Sequence, residues 1–311
     1  MRIVSLLPST TELCAALGLL DSLVGVTHEC DYPPAVRTLP HVTRSLLPEG
    51  LDHAAIDRAV RERVAAGQPL YALDWELIAA LEPDLILTQA LCPVCAVAYD
   101  DVCMLAATLP SQPDVLAVEP HTLDDVVASL QTVGAITGRA TCASAVAAAL
   151  SQRIAWITKQ CAAQPHRPRV VCLEWLDPPF IAGHWVPEMV ERAGGIDVLG
   201  LHGQPSFAVN WETIADADPD ILIVMPCGYD AHASAELAQS YWPVLEHAAP
   251  RATQMGHVYA VDASSYFSRP GPRLVTGLAL LAHLLHPTVL STPSDGHSAI
   301  AVFENTLEQV P

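Results

Sequence analysis

The sequence predicts an α/β protein of two Rossmann-like lobes with parallel sheets, joined by one long inter-lobe helix. Three observations carry this reading. The phrase Trp75-Glu76-Leu77-Ile78-Ala79 … Pro83-Asp84-Leu85-Ile86-Leu87 returns as Trp211-Glu212-Thr213-Ile214-Ala215 … Pro219-Asp220-Ile221-Leu222-Ile223, at a constant offset of 136 residues. Each copy reads as a short helix, a Pro-Asp break and a buried strand, so one structural unit occurs once in each half. Strand-like runs alternate with helical patterns in both halves, the mark of parallel sheets. Between the halves, the stretch from Thr122 to Ala163 is almost wholly helical in pattern.

The first half opens with a strand at Ile3–Leu7 and a helix from Ser9 to Leu17. Ser9 or Thr10 is placed to cap that helix, with Glu12 closing a capping box. A strand at Leu23–Thr27 follows. Leu51–Ala66 reads as helix within a less regular stretch, Leu85–Thr88 as the repeat strand, Val97–Thr108 as helix and Val115–Val118 as strand. Gly134 and Gly138 break the central helical region, leaving Ala140–Ala162 as a rigid strut. The second half gives a strand at Arg169–Glu174, a helix at Pro187–Ala193, and the repeat unit within Asn210–Met225. A helix at Ala233–Tyr241, a strand at His257–Val261 and a closing helix at Leu274–Leu285 complete it. The expected organisation is an N-terminal lobe (1–120), a helical linker (121–165), a C-terminal lobe (166–286) and a mobile tail (287–311), in which residues 299–307 are able to dock as a short helix.

Hydrophobic residues make up 51% of the 311 positions and charged ones 16%, which excludes extensive disorder. A net charge of −19 argues against nucleic acid and anionic membrane surfaces as partners and leaves small ligands or basic protein surfaces. No apolar run reaches the length of a membrane span. The chain as written enters a strand at once, so a cytoplasmic location is expected, or an extracytoplasmic one if a signal peptide was removed. The odd number of cysteines, nine, fits a reducing compartment better than a disulfide framework. Cys14, Cys142, Cys161 and Cys172 read as small buried hydrophobes.

In parallel sheets, ligands bind at the loops after the strand C-termini. Those loops carry His28, Glu29 and Cys30; Cys92 and Cys95; Glu174 and Trp175; His184 and Trp185; Cys227; and Tyr266, Phe267 and Arg269. Cys92-x-x-Cys95 fits a redox pair at a helix start, part of a soft metal site with Cys30 and His184, or plain loop packing. His184 is either a metal or axial ligand or a backbone-bonded loop histidine. Trp175, Trp185, Tyr266 and Phe267 offer flat apolar walls for a large ring, with Glu174 and Arg269 at its polar edges. There is no P-loop, no Gly-x-Gly-x-x-Gly after a strand and no Gly-x-Ser-x-Gly elbow, so the chain does not read as an enzyme.

Val4-Ser5-Leu6-Leu7-Pro8-Ser9-Thr10-Thr11-Glu12-Leu13, Gly25-Val26, Asp31-Tyr32-Pro33-Pro34, Pro83-Asp84, Pro178-Pro179-Phe180, Gly194-Gly195, Pro219-Asp220 and Pro272-Arg273 together resemble the vitamin B12 binding proteins. Their wider group is the iron-siderophore and cobalamin substrate-binding proteins of ABC importers, the class III periplasmic binding fold. The resemblance covers about residues 1–286. It implies two α/β lobes joined by one long helix, with a cobalamin-like or iron-type metal chelate in the cleft and an ABC importer as partner. It maps the N-terminal binding loop to Pro8, Ser9 and Thr10, the second-strand loop to His28–Asp31, and a third to Gln89–Cys92. Second-lobe aromatics fall at Trp175 and at Tyr266 and Phe267, and a transporter-docking glutamate at Glu212. The first-lobe docking glutamate has no match, and the sequence looks most like a signal-less branch. The alternative is a cytosolic metal- or thiol-handling protein, enzymatic or not, working through Cys30, Cys92, Cys95 and Cys227.

Overall fold

A computed structural model describes residues 1–89, 99–290 and 298–310. It divides into two units: Met1–Pro120 with Val127–Ala147, and His121–Val126 with Ala148–Pro311. The expected linker is thus shared between the units rather than standing apart from them.

The first unit runs β1 (Ile3–Ser5), α1 (Pro8–Ala16), β2 (Leu23–Gly25), β3 (Thr43–Ser45), α2 (His53–Ala65), β4 (Tyr71–Leu73), α3 (Trp75–Leu81), β5 (Leu85–Thr88), α4 (Tyr99–Thr108) and β6 (Asp114–Ala117). Its sheet has the order β2-β1-β5-β6 and is wholly parallel. Every residue of β1 and β5 is buried, as a parallel strand covered on both faces requires. Val4, Ile86, Ile78 and Val102 form the core between sheet and helices. β3 and β4 pair antiparallel outside that sheet, with α2 inserted between them. The capping box expected at Ser9 or Thr10 does not form. Pro8 starts α1, Leu7 takes the cap position without a side-chain bond, and Ser9 and Thr10 lie inside the helix. Proline fits the first turn because no partner is needed for the N–H it lacks.

Helices α5 (Leu123–Ile136) and α6 (Ala140–Ala162) follow, the latter with the extent read from the sequence. Gly134 permits their close approach, since a Cβ there would lie 2.3 Å from Cβ of Ala143. The second unit continues with β7 (Arg169–Leu176), β8 (Pro179–Ile181), α7 (Val186–Arg192), β9 (Ile196–Asp197), β10 (Phe207–Ala208), α8 (Trp211–Ala217) and β11 (Ile221–Val224). Then come α9 (Ala231–Ser240), α10 (Trp242–Ala248), α11 (Pro250–Met255), β12 (Val258–Val261), α12 (Ala263–Tyr266), α13 (Leu274–Leu285), β13 (Ala299–Val302) and β14 (Leu307–Gln309).

In this unit β7, β11 and β12 are parallel, and antiparallel strands flank them in the order β10-β8-β7-β11-β12-β13-β14. The sheet is therefore mixed, with a parallel centre. The tail expected to be mobile, with a docked helix at 299–307, instead supplies two strands. Ala299, Ile300 and Val302 are buried, with Ala301 opposite Tyr259. The open edge of β12 decides this outcome, because its unpaired N–H and C=O groups select an extended partner.

The repeat is realised in the same hydrogen-bonded plan in both units. Oδ1 of Asp74 accepts from N–H of Leu77 at 2.9 Å, and Oδ1 of Asn210 from Thr213 at 2.8 Å, capping α3 and α8. Each helix ends on a left-handed residue, Glu82 (φ 43°) and Asp218 (φ 42°), before Pro-Asp turns the chain into the strand. Arginines complete the parallel. N–H of Arg2 donates to Asp84 (2.7 Å) while its Nε donates to O of Leu81 (2.7 Å), the last carbonyl of α3. N–H of Arg169 donates to Asp220 (2.8 Å) while its Nη2 donates to O of Ala217 (2.6 Å). The guanidinium satisfies an orphan carbonyl and complements the negative helix end.

Partial burial pushes the Asp220 carboxyl up, but bonds from Arg169 N–H and from Arg251 (2.8 Å) outweigh it and hold the group below its usual range. The unfolded chain then binds the proton more tightly. The stability this gives is full above the unfolded value of about 3.9 and is lost as pH falls through the lower folded value. Asp220→Asn is expected to cost about 1.5–3 kcal/mol in urea melts at neutral pH, the range for hydrogen bonds to charged groups. The gap to wild type should close below about pH 4; a gap constant with pH would refute this account.

Candidate functional site

In the first unit, the loop after β1 turns its hydroxyls inward. Oγ of Ser5 lies 2.6 Å from Oγ1 of Thr10 and accepts from Oγ1 of Thr11 at 2.8 Å. Sγ of Cys30 lies 3.1 Å from Oγ1 of Thr11 and 3.2 Å from Oγ1 of Thr27. Ser9, Thr10 and Cys30 are buried and Pro8 is half-buried. Thr10 and Cys30, expected as ligand contacts, are therefore members of an internal hydroxyl–thiol network, because unmade bonds at those polar atoms would be costly.

The loop after β2 keeps its neighbours accessible. Glu29 is exposed, and Oη of Tyr71 on β4 donates to its Oε1 at 3.5 Å. Nδ1 of His28 lies 2.7 Å from Oγ1 of Thr43, and its ring is 5.8 Å from that of Tyr71. Burial lowers the His28 pKa, with Glu29 opposing and His41 adding to the shift. Cys92 and Cys95 lie outside the described residues. Among the described residues, no group of three or more His, Cys, Asp or Glu side chains is placed to hold a metal ion. Of the metal set expected at Cys30, Cys92, Cys95 and His184, the described residues include Cys30 and His184. Cys30 is in the first unit and His184 in the second.

In the second unit, Glu174 and Trp175 stand half-buried at the end of β7. The loop after β11 is tied to them, with N–H of Cys227 donating to O of Glu174 at 3.2 Å. Cys227 itself is exposed. Tyr229, two residues on, meets Trp175 edge to face, with centroids 6.2 Å apart and planes at 82°. O of Tyr229 accepts from N–H of Ser264 at 3.2 Å, tying this loop to α12. Tyr266, half-buried at the end of α12, has the Arg273 guanidinium 5.9 Å from its ring centre, and Arg269 in the same loop is half-buried.

Two of the expected ring walls serve differently. Trp185 and Phe267 are 7% and 2% exposed, and Nε1 of Trp185 donates to O of Phe267 at 2.8 Å. They pack inside the unit. His184 stacks on Trp185, with centroids 5.5 Å apart and planes at 28°, and has a left-handed backbone (φ 52°). Its N–H donates to O of Gln204 at 2.6 Å, its Nδ1 is buried without a hydrogen-bond partner, and His121 lies 6.3 Å away. Gly183 is confined by the same segment, because a Cβ there would lie 2.4 Å from N of Ser206. Glu212 is exposed in the first turn of α8, where its charge complements the helix dipole.

Sequence reasoning missed Tyr71, His121, Tyr229 and Arg273 as members of these clusters. Tyr229 had a signal, for it directly follows Pro226-Cys227-Gly228, a loop already singled out. Tyr71 had none, since β4 lies between the less regular stretch and the repeat phrase, where the sequence pattern marks no element.

A family model described as periplasmic binding protein matches residues 3–264. A cobalamin-binding protein of Halobacterium salinarum is 29% identical over 301 residues, covering 93% of this chain and 70% of that protein. A vitamin B12-binding protein of Vibrio cholerae is 25% identical over 275 residues, covering 88% and 84%. Among solved structures, a periplasmic heme binding protein from Pseudomonas aeruginosa superposes with a TM-score of 0.70 at 22% identity, covering 94% of this chain and 95% of that one.

Burial lowers the His184 pKa first and the neighbouring His121 charge second. His184 should titrate below the usual histidine value of about 6.5 in NMR pH titrations. His121→Asn should raise its pKa part of the way back, leaving the burial contribution. A His184 pKa unmoved by that change would show that the two rings do not interact.

Proposed function

The chain belongs to the periplasmic binding protein family, and we propose that its cargo is a cobalamin-like or iron-type metal chelate, which it binds without catalysing a reaction. The observation that carries this is the aromatic corner of Trp175 and Tyr229 at 82°, neighboured through Ser264 by the loop of Tyr266 and Arg273. A flat macrocycle or chelate face needs apolar ring surfaces at its centre and polar groups at its rim. Glu174, Arg269 and Arg273 are the rim groups in this reading. The names of the relatives from Halobacterium salinarum and Vibrio cholerae support a corrinoid, and the heme binding protein supports a planar iron chelate.

Enclosure of Cys30 by Thr11 and Thr27 favours this reading over capture of a bare metal ion by thiolates. Work outside the cytoplasm beside an ABC importer, with Glu212 as a docking contact, belongs to the same proposal.

Titration with hydroxocobalamin, hemin and a ferric hydroxamate, followed by absorbance and calorimetry, tests it. One of the three is expected to bind with a spectral change. Trp175→Ala and Tyr266→Ala should each weaken binding about tenfold or more, about 1.4 kcal/mol at the threshold. Silence with all three probes, or unchanged affinity in both variants, would reject the proposal.

A further inference from the structure

Of the ring walls of the site, Trp175 is carried by the strand β7, whereas Tyr266 stands on a short segment that something must hold still. Tyr266 ends a four-residue helix, α12, which is too short to fix a side chain by itself. Two contacts from outside the helix secure its end. The first is Gly277 on α13: a Cβ at that position would lie 2.2 Å from O of Tyr266 and 3.1 Å from Cε of Met189. Only a hydrogen fits beneath the Tyr266 carbonyl. The second is Nε1 of Trp185, which donates to O of Phe267, the next carbonyl along the chain, across 82 residues of sequence. N–H of Phe267 and N–H of Ser268 both donate back to O of Ala263, at 3.0 and 2.8 Å, closing the turn. The ring of Trp185 also carries His184 stacked on it. A single buried indole thus touches one candidate ligand residue, His184, by its face and, through its N–H, the residue that follows another, Tyr266.

We propose that Trp185 and Gly277 are positioning residues of the chelate site, acting on the ligand only through the placement of Tyr266 and, for Trp185, of His184. The inference rests on the chelate-binding reading and deepens it. Trp185→Phe keeps a ring for His184 to stack on but removes the donor to Phe267. Gly277→Ala keeps the helix, since alanine favours helical backbone, but drives Cβ into the Tyr266 carbonyl. Neither residue needs to meet the ligand for its loss to be felt, because binding depends on walls fixed before the ligand arrives.

The test is a pair of double-mutant cycles, using whichever of hydroxocobalamin, hemin or ferric hydroxamate the wild type binds. Trp185→Phe and Gly277→Ala are each made alone and in a Tyr266→Ala background. Each single change is expected to weaken binding about tenfold in the presence of Tyr266. In the Tyr266→Ala background the effect of Gly277→Ala should vanish and that of Trp185→Phe should shrink, because the group being positioned is gone. A merely structural role would give the same loss in both backgrounds and would overturn the inference while leaving the chelate reading intact. Wild-type affinity in both single variants would overturn it equally. A wild type that binds none of the probes would reject both the inference and the reading beneath it. Should Gly277→Ala fail to fold, the Trp185→Phe cycle decides the matter alone.

Discussion

An arginine at the start of a central strand, a carboxylate at the start of the neighbouring strand, and the last carbonyl of the helix between them form the arrangement on which each unit depends. Arg2, Asp84 and Leu81 make it in the first unit, and Arg169, Asp220 and Ala217 in the second. The arrangement answers three demands of a βαβ fold at one place. It satisfies an orphan helix carbonyl, sets the register between two parallel strands, and follows directly on a left-handed cap residue and a proline that cannot continue the helix. Backbone bonds from Asp84 to Arg2 and from Asp220 to Arg169, both 2.8 Å, begin the ladders from the same point. The opposite, C-terminal ends of those strands are thereby placed, and the candidate ligand side chains sit there. The second copy carries an extra cation, Arg251, shared between Asp220 and Asp218.

The loops at those far ends fall into two physical kinds. In the first unit, the end of β1, the start of α1 and the loop after β2 spend polar side chains on one another, from Ser5 through Thr11 to Cys30, all of them buried. In the second unit, the loops after β7, β11 and β12 turn backbone groups inward and leave Trp175, Tyr229 and Tyr266 only partly covered. The same chemical alphabet therefore gives a sealed network in one place and a presented surface in another. What decides between them is where each loop finds its hydrogen-bond partners, not which residues it contains.

The fold was legible because the duplicated phrase from Trp75 to Leu87 marks a helix, a turn and a fully buried strand, and burial on both faces leaves a continuous apolar run. The extent of α6 was legible for a similar reason, since an Ala-rich stretch bounded by Gly138 and Pro165 has few other outcomes. β13 and β14 were not. Ala-Ile-Ala-Val has weak local preference, and its strand form comes from the exposed edge of β12, far away in sequence. Of the candidate site residues, Trp175 and Tyr266 stand out in the sequence because aromatic residues beside Pro- and Gly-rich turns have no amphipathic face to pack, and both are half-buried. Trp185 and Phe267 satisfy the same rule yet pack inward. The Trp185 N–H meets the Phe267 carbonyl only in three dimensions, and local sequence carries no trace of that pairing. Cys30 misled for a related reason: its partners Thr11 and Thr27 were visible, but nothing in their spacing said that they would close around the thiol.

The short antiparallel strands flanking the second sheet bear on how crowded copies of this chain behave. Along the path of that sheet, the outermost members are Phe207–Ala208 on one side and Leu307–Gln309 on the other. Lone edges that brief, one of them carrying Glu308, give a passing chain almost no ladder to extend. The long apolar run of β7 is screened by its own neighbours, so a protein with 51% hydrophobic residues keeps its stickiest backbone out of reach of intermolecular sheet growth.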